Sequence, residues 1–217
     1  MKTFYRAKLP HIQPIGGTFF ITFRLHNSLP KQYLRKIKLE LDSKIFEIKT
    51  SHYLDPNEAI YSERKLYFKK MDWALDQIYD GTDFLKEEKI AQIVRNRIHQ
   101  YDGELYDLLA YCIMPNHVHL VFDTSVQLLV KEGLNFKNYI QVSEIMRKIK
   151  GGSAFEINKI LNSKGEFWQR ESYDHYVRSG QELKNVIDYV IKNPVVAKLA
   201  KEWDEYKFTY LKEYNIT

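Results

Sequence analysis

The residues best equipped for chemistry are His117 and His119, which lie one residue apart in the run Met114-Pro115-Asn116-His117-Val118-His119-Leu120-Val121-Phe122. On a β-strand successive side chains alternate between faces, so His117, His119 and Val121 point one way while Val118, Leu120 and Phe122 point the other. Two imidazoles on one face suit two ligands of a single divalent metal, and the opposite face offers three large apolar groups for a core. The same spacing also describes two polar residues on a solvated strand face. The apolar run from Leu108 to Met114, broken by Pro115-Asn116 before the histidines, predicts two adjacent strands joined by a tight turn.

A second group of interest lies near the carboxyl end. Gln181 to Asn193 has helical spacing, with Leu183, Val186, Ile187 and Val190 on one stripe and Pro194 closing the segment. Tyr189 and Asn193, four residues apart, fall together on the flank of that stripe and present a phenol beside an amide. A half-buried tyrosine at a helix edge and an asparagine closing a helix before proline are the plainer account. The residue before proline is biased away from helical geometry, which favours a capping role for Asn193. Tyr173 and Tyr176 are rival phenols, in an extended segment with no adjacent amide.

The elements that must position these groups can be read in chain order. Thr18 to Leu25 follows the Gly16-Gly17 turn and is dense in β-formers, a first strand. From about 30 to 83 the character changes: Lys31 to Phe46 has helical spacing at Leu34, Ile37, Leu39 and Leu41. Pro56, Asn57 and Gly81 then punctuate a mixed segment holding Trp73. This stretch reads as a mainly helical insertion within one domain spanning 1–217. Its basic residues Lys31, Arg35, Lys36 and Lys38 could touch phosphate or simply face water. Glu87 to Tyr101 carries the stripe Ile90, Ile93, Val94 and Ile98, an amphipathic helix. Beyond the histidines, a helix from Val142 is expected to stop at Gly151-Gly152. The capping box Ser153-Ala154-Phe155-Glu156 would open another, to about Leu161. Phe167 to Arg178 reads as extended, aromatic and basic.

The resulting order is strand, helix, strand, strand, helix, strand, helix. Its first six elements are those of the split β-α-β arrangement, an α+β, ferredoxin-like (RRM-like) antiparallel sheet with helices on one face. The other face would carry His117 and His119, and the last helix would pack there, near the histidine strand.

Composition bounds the rest. A chain of 217 residues, 44% hydrophobic and 28% charged, can bury one sizeable core. Its amino terminus has no apolar signal core, and no run approaches the roughly 18 apolar residues of a membrane span, so a cytoplasmic protein with no membrane partner is expected. The single cysteine, Cys112, cannot form an internal disulfide and sits in an apolar run, as a small core residue would. A net charge of +5 and sixteen tyrosines are compatible with a polyanionic partner whose bases stack on rings.

The residues also resemble a known family. Pro115-Asn116-His117-Val118-His119-Leu120-Val121 resembles the histidine–hydrophobic–histidine signature of the HUH endonucleases. Phe167-Trp168-Gln169-Arg170, Asp174-His175 and the run from Ile187 to Val195 are similar to the carboxyl-terminal half of the single-tyrosine, IS200-like transposases, in particular the REP-associated tyrosine transposases. The resemblance runs from about Gly16 to Phe208 and is weak at 30–83. It implies that His117, His119 and Asn193 are metal ligands, that Tyr189 is the nucleophile, and that the cofactor is Mg²⁺ or Mn²⁺. It further implies single-stranded or hairpin DNA as partner, a cytoplasmic, nucleoid-associated bacterial setting, and room for a homodimer. Arg147, Lys148 and Lys150 before the glycine pair, with Arg170, His175 and Arg178 near the last strand, are the candidates for DNA contacts. A solvated helix face accounts equally well for the first three.

Three functions fit: a metal-dependent enzyme that nicks and rejoins DNA through a 5′-phosphotyrosine, a domesticated hairpin-binding protein that no longer cuts, and a metal hydrolase. The last fits least, because the sequence lacks the further His and Asp clusters of a hydrolytic centre.

Overall fold

Alternation of apolar residues decides the sheet. A computed structural model describes the chain except residues 1–3, 7–9, 52, 78–80, 130–137 and 214–217. β1 (Phe4–Arg6) and β2 (Pro10–Ile12) form a two-stranded antiparallel sheet. β3 (Thr18–Arg24) follows, and the chain divides there into two compact units, 27–83 and the remainder.

The unit 27–83 is built on two helices packed on each other, α1 (Lys31–Thr50) and α2 (Pro56–Gln77). Leu29, Ala74 and Leu75 form its small core, against which Tyr33, Leu34 and Met71 pack. Pro56 opens α2: the Asp55 carboxylate accepts from the backbone N–H groups of Asn57 and Glu58, both at 3.0 Å, and proline at the first helical position has no N–H to satisfy. The Pro-Asn pair read as punctuation is therefore a helix start, and the helix runs unbroken through Trp73.

The other unit contains α3 (Glu88–His99), β4 (Asp107–Ile113), β5 (His117–Asp123), the single turn α4 (Val126–Leu129), α5 (Val142–Ile160), β6 (Tyr173–Val177), α6 (Gly180–Val196) and β7 (Thr209–Leu211). The sheet is antiparallel in the order β6-β3-β5-β4-β7. Its first four strands have the order expected for the split β-α-β arrangement. β7, three residues long, adds a fifth; so short a run carries no periodicity to read.

On one face Phe19, Ile21 and Phe23 of β3 and Val118, Leu120 and Phe122 of β5 join Ile90, Val94 and Ile98 of α3 and Ile145, Ile149 and Ile157 of α5 in the main core. The other face of β4 and β5 receives α6.

Two helix expectations are corrected. α5 runs through Gly151-Gly152 without a break. A Cβ at 152 would lie 2.7 Å from Arg97 Cζ of α3, so any larger residue there would have to displace the end of that side chain. The residues of the supposed capping box are engaged elsewhere. Ser153 Oγ donates to Ile149 O at 2.7 Å and accepts from Trp168 Nε1 at 3.0 Å, while Glu156 pairs with Arg97. α6 likewise continues past Pro194 to Val196, with Asn193 helical and its carbonyl accepting from Ala197 N at 2.9 Å. Burial of Val190, Ile191, Asn193 and Pro194 outweighs the pre-proline bias.

Candidate metal and nucleophile site

β5 starts at His117 because Pro115-Asn116 turns the chain there, and Met114 N donates to His117 O at 2.8 Å to close the hairpin. Opposite lies β3, with Thr22 in register with His119 and Arg24 with His117. The face away from the main core therefore carries Thr22, Arg24, His117 and His119, all buried.

Both imidazoles point their Nε2 atoms at one place. His117 Nε2 and His119 Nε2 are 3.0 Å apart, and the rings meet edge to face at 4.6 Å. Each Nδ1 has its own partner: Asn116 Oδ1 lies 2.6 Å from His117 Nδ1, and Thr22 Oγ1 lies 2.8 Å from His119 Nδ1. Burial pushes the His117 imidazole down to about 3 and holds His119 well below the usual histidine range, with the neighbouring His117 adding to the effect. Both rings are neutral at pH 7, the form in which imidazole binds a metal.

α6 brings up the other two candidates. Ser179 caps it, its Oγ accepting from Glu182 N at 3.2 Å, and Glu182 Oε1 holds His175 Nε2 of β6 at 2.8 Å. The Tyr189 ring then stands edge-on to His119, with centroids 5.4 Å apart, and to Phe20 at 6.0 Å. Tyr189 remains 39% exposed. One helical turn further on, Asn193 is 3% exposed, and its Oδ1 is buried with no hydrogen-bond partner among the described residues. A buried amide oxygen left in that state wants a donor or a cation.

The two imidazoles could hold a divalent metal. Two ligands at about 2.1 Å in neighbouring corners of an octahedron lie about 3.0 Å apart. The separation of the two Nε2 atoms matches that edge.

The rival tyrosines separate clearly. Tyr173 shares the histidine face but meets Phe20, at 6.3 Å, whereas Tyr176 packs on Phe19 at 6.0 Å, toward the main core.

The cationic candidates scatter. Arg147, Lys150 and Arg170 line one cleft of about 830 Å³ beside α5, together with Gln169 and Ser172 and the acidic Glu171. Arg147 is exposed and paired with Glu144 at 2.7 Å. Lys150 is part of the cleft wall, its ammonium donating to Gln169 O, Arg170 O and Ser172 Oγ at 2.9–3.0 Å. Lys148 stands over the Tyr101 ring at 5.9 Å, Arg178 is exposed at the end of β6, and His175 is buried against Glu182. The sequence reading missed Thr22, Asn116 and Arg24. Asn116 sits beside the motif, while Thr22 and Arg24 reach it only through strand register.

Comparison with known proteins shows the family. The family model described as "Transposase IS200 like" matches residues 82–193, half of the chain, and so contains both histidines, Tyr189 and Asn193. A Haemophilus influenzae protein described as a REP-associated tyrosine transposase is 26% identical over 104 residues, 45% of this chain and 56% of that protein. The chain thus spans little more than half the length of that relative. A solved structure of a REP-associated tyrosine transposase bound to a REP hairpin aligns with a TM-score of 0.45 at 17% identity, covering 96% of this chain and 82% of the other. With a family model covering half its length, over the segment that carries the paired histidines and the tyrosine-bearing helix, the chain belongs to the IS200-like transposases.

Proposed function

We propose that this protein is a divalent-metal-dependent transposase that nicks and rejoins single-stranded DNA beside hairpin sequences, with Tyr189 as nucleophile. The observation that carries the reading is the convergence of His117 Nε2 and His119 Nε2, with the Tyr189 ring against His119 and the unpartnered Asn193 oxygen one turn beyond.

His117, His119 and Asn193 would hold Mg²⁺ or Mn²⁺, which supplies charge to polarise the scissile phosphate and neutralise what develops on its oxygens. Tyr189 Oη forms the bond to phosphorus as the bond from phosphorus to the 3′ oxygen breaks. The phenol proton is lost and one is delivered to the leaving oxygen, which yields a 5′-phosphotyrosyl link and a free 3′-hydroxyl. The phosphoester is conserved, so attack by another 3′-hydroxyl rejoins the strand and releases the tyrosine. A phenol of ordinary pKa about 10 is a weak nucleophile when neutral, so cationic charge at the site has to favour its phenolate. Buried Arg24, in register with His117, is one source of such charge. Outside the site, Arg147 and Arg170 on the cleft beside α5 are the best placed of the cations to receive DNA phosphates.

The test is incubation with end-labelled hairpin DNA carrying single-stranded flanks, with and without Mn²⁺. A covalent adduct that appears only with metal and maps to the Tyr189 peptide is expected. Hairpin binding without an adduct would reduce the protein to a binding module, and cleavage without an adduct would transfer the chemistry to activated water.

A further inference from the structure

The two site imidazoles are held differently, and the difference lies in what their Nδ1 partners can do. Asn116 Oδ1, 2.6 Å from His117 Nδ1, is an amide oxygen and can only accept. His117 therefore carries its proton on Nδ1 and turns a bare lone pair on Nε2 toward the site. Thr22 Oγ1, 2.8 Å from His119 Nδ1, is a hydroxyl and can donate or accept. His119 can accordingly carry its proton on either nitrogen.

Without a cation, two bare lone pairs 3.0 Å apart would repel. An arrangement that satisfies these three contacts has His117 Nδ1–H donating to Asn116 Oδ1, His119 Nε2–H donating to His117 Nε2 and the Thr22 hydroxyl donating to His119 Nδ1. With a cation, both Nε2 lone pairs are needed. The proton of His119 must then sit on Nδ1, and the Thr22 hydroxyl must turn to accept it.

We propose that Asn116 and Thr22 are positioning residues of the metal site: Asn116 locks His117 in one tautomer, and Thr22 lets His119 switch tautomer as metal enters. The proposal rests on the metal reading above. One proton leaves Nε2 and one arrives at Nδ1, so the imidazole stays neutral and no net proton is released. A purely structural role at position 22 would ask only for a β-branched strand residue, which valine supplies equally well. Outer partners that fix a ligand histidine are typically worth about 10–100-fold in metal affinity.

Two measurements test it. In the wild-type protein, long-range ¹H–¹⁵N NMR should show His117 protonated on Nδ1 and His119 on Nε2. Mg²⁺ should move the His119 proton to Nδ1 and leave His117 unchanged. A His117 proton on Nε2, or no change at His119 on metal binding, would overturn the assignment. By calorimetry, Thr22→Val should bind Mn²⁺ about 10–100-fold more weakly, Thr22→Ser should come within a few-fold of wild type, and hairpin DNA binding should be unchanged in both. Equal Mn²⁺ affinity in wild type and Thr22→Val sinks the switch alone. Wild-type protein that takes up no Mn²⁺ sinks the metal reading and the proposal with it. Should Thr22→Val fail to fold, the wild-type NMR experiment still decides.

Discussion

Tyr189 is set apart from Tyr173 and Tyr176 by its neighbours. Its ring meets His119, while the other two meet Phe20 and Phe19. Tyr189→Phe should therefore abolish the covalent DNA adduct, and Tyr173→Phe and Tyr176→Phe should retain it. The variant keeps the ring and its edge contacts, so its thermal midpoint should stay close to wild type; an adduct formed by Tyr189→Phe would end the assignment. The histidines give a pH prediction. Burial lowers both, so their neutral forms persist below the ordinary histidine value of about 6.5. Mn²⁺ affinity should stay nearly level between about pH 7.5 and 5.5, where a pair of ordinary histidines would lose it steeply. In the metal-free protein the same shifts act against stability. Below about 6.5 the unfolded chain takes up protons that the folded chain refuses, so stability should fall with pH through that window. A thermal midpoint independent of pH there would contradict the burial. Placement of the two histidines was legible from the two-residue period, and that of Tyr189 from the four-residue one. Thr22 and Arg24 were not, because nothing local relates residues 22 and 24 to residues 119 and 117.

At the scale of elements, the glycine pair in α5 shows how a local signal is overruled. Gly-Gly followed by Ser-x-x-Glu reads as one helix stopping and another starting. In the fold α5 continues through both glycines, Gly152 lies against the Arg97 side chain of α3, and Ser153 and Glu156 serve Trp168 and Arg97. The two glycines should respond differently to a methyl group. A Cβ on Gly151 meets nothing within 4 Å, so Gly151→Ala should gain most of the helix-propensity difference, about 1 kcal/mol. A Cβ on Gly152 would fall 2.7 Å from Arg97 Cζ, and moving that side chain disturbs its pair with Glu156. Gly152→Ala should therefore gain less than Gly151→Ala, or lose stability. Denaturant unfolding of the two variants checks the order, and a reversed order would show that the Arg97 side chain moves aside without loss. α6 teaches the same lesson, since burial of Asn193 and Pro194 carries the helix past a proline that alone would have ended it.

For the whole molecule, net charge of +5 is modest, so the DNA binding proposed above would draw on local clusters such as Arg147 and Arg170. Hairpin affinity should fall linearly on a log–log plot against salt, with a slope of about −0.7 to −0.9 per phosphate neutralised. Arg170→Ala should make that slope shallower by about one; an unchanged slope would remove the residue from the interface. The 27–83 unit supports a larger test. Its ends meet, Thr82 N donating to Asn27 O at 3.2 Å, so the intervening chain leaves and returns at one place. The strands it interrupts are secured without it: Leu25 N donates to Asn116 O at 2.9 Å, His26 N to Phe167 O at 2.9 Å, and Leu85 N to Pro115 O at 3.0 Å. The remaining unit has its own core, with Trp168 packed on Phe23 at 4.8 Å and bonded to Ser153. Replacing the segment between Asn27 and Asp83 by a short glycine-serine link should therefore leave a protein that unfolds in one cooperative transition, since a short flexible link costs less closure entropy than a long one. Calorimetry and the near-ultraviolet signal of the remaining tryptophans, Trp168 and Trp203, decide it. A gradual, non-cooperative melt would show that the sheet and its helices need the 27–83 unit in order to fold.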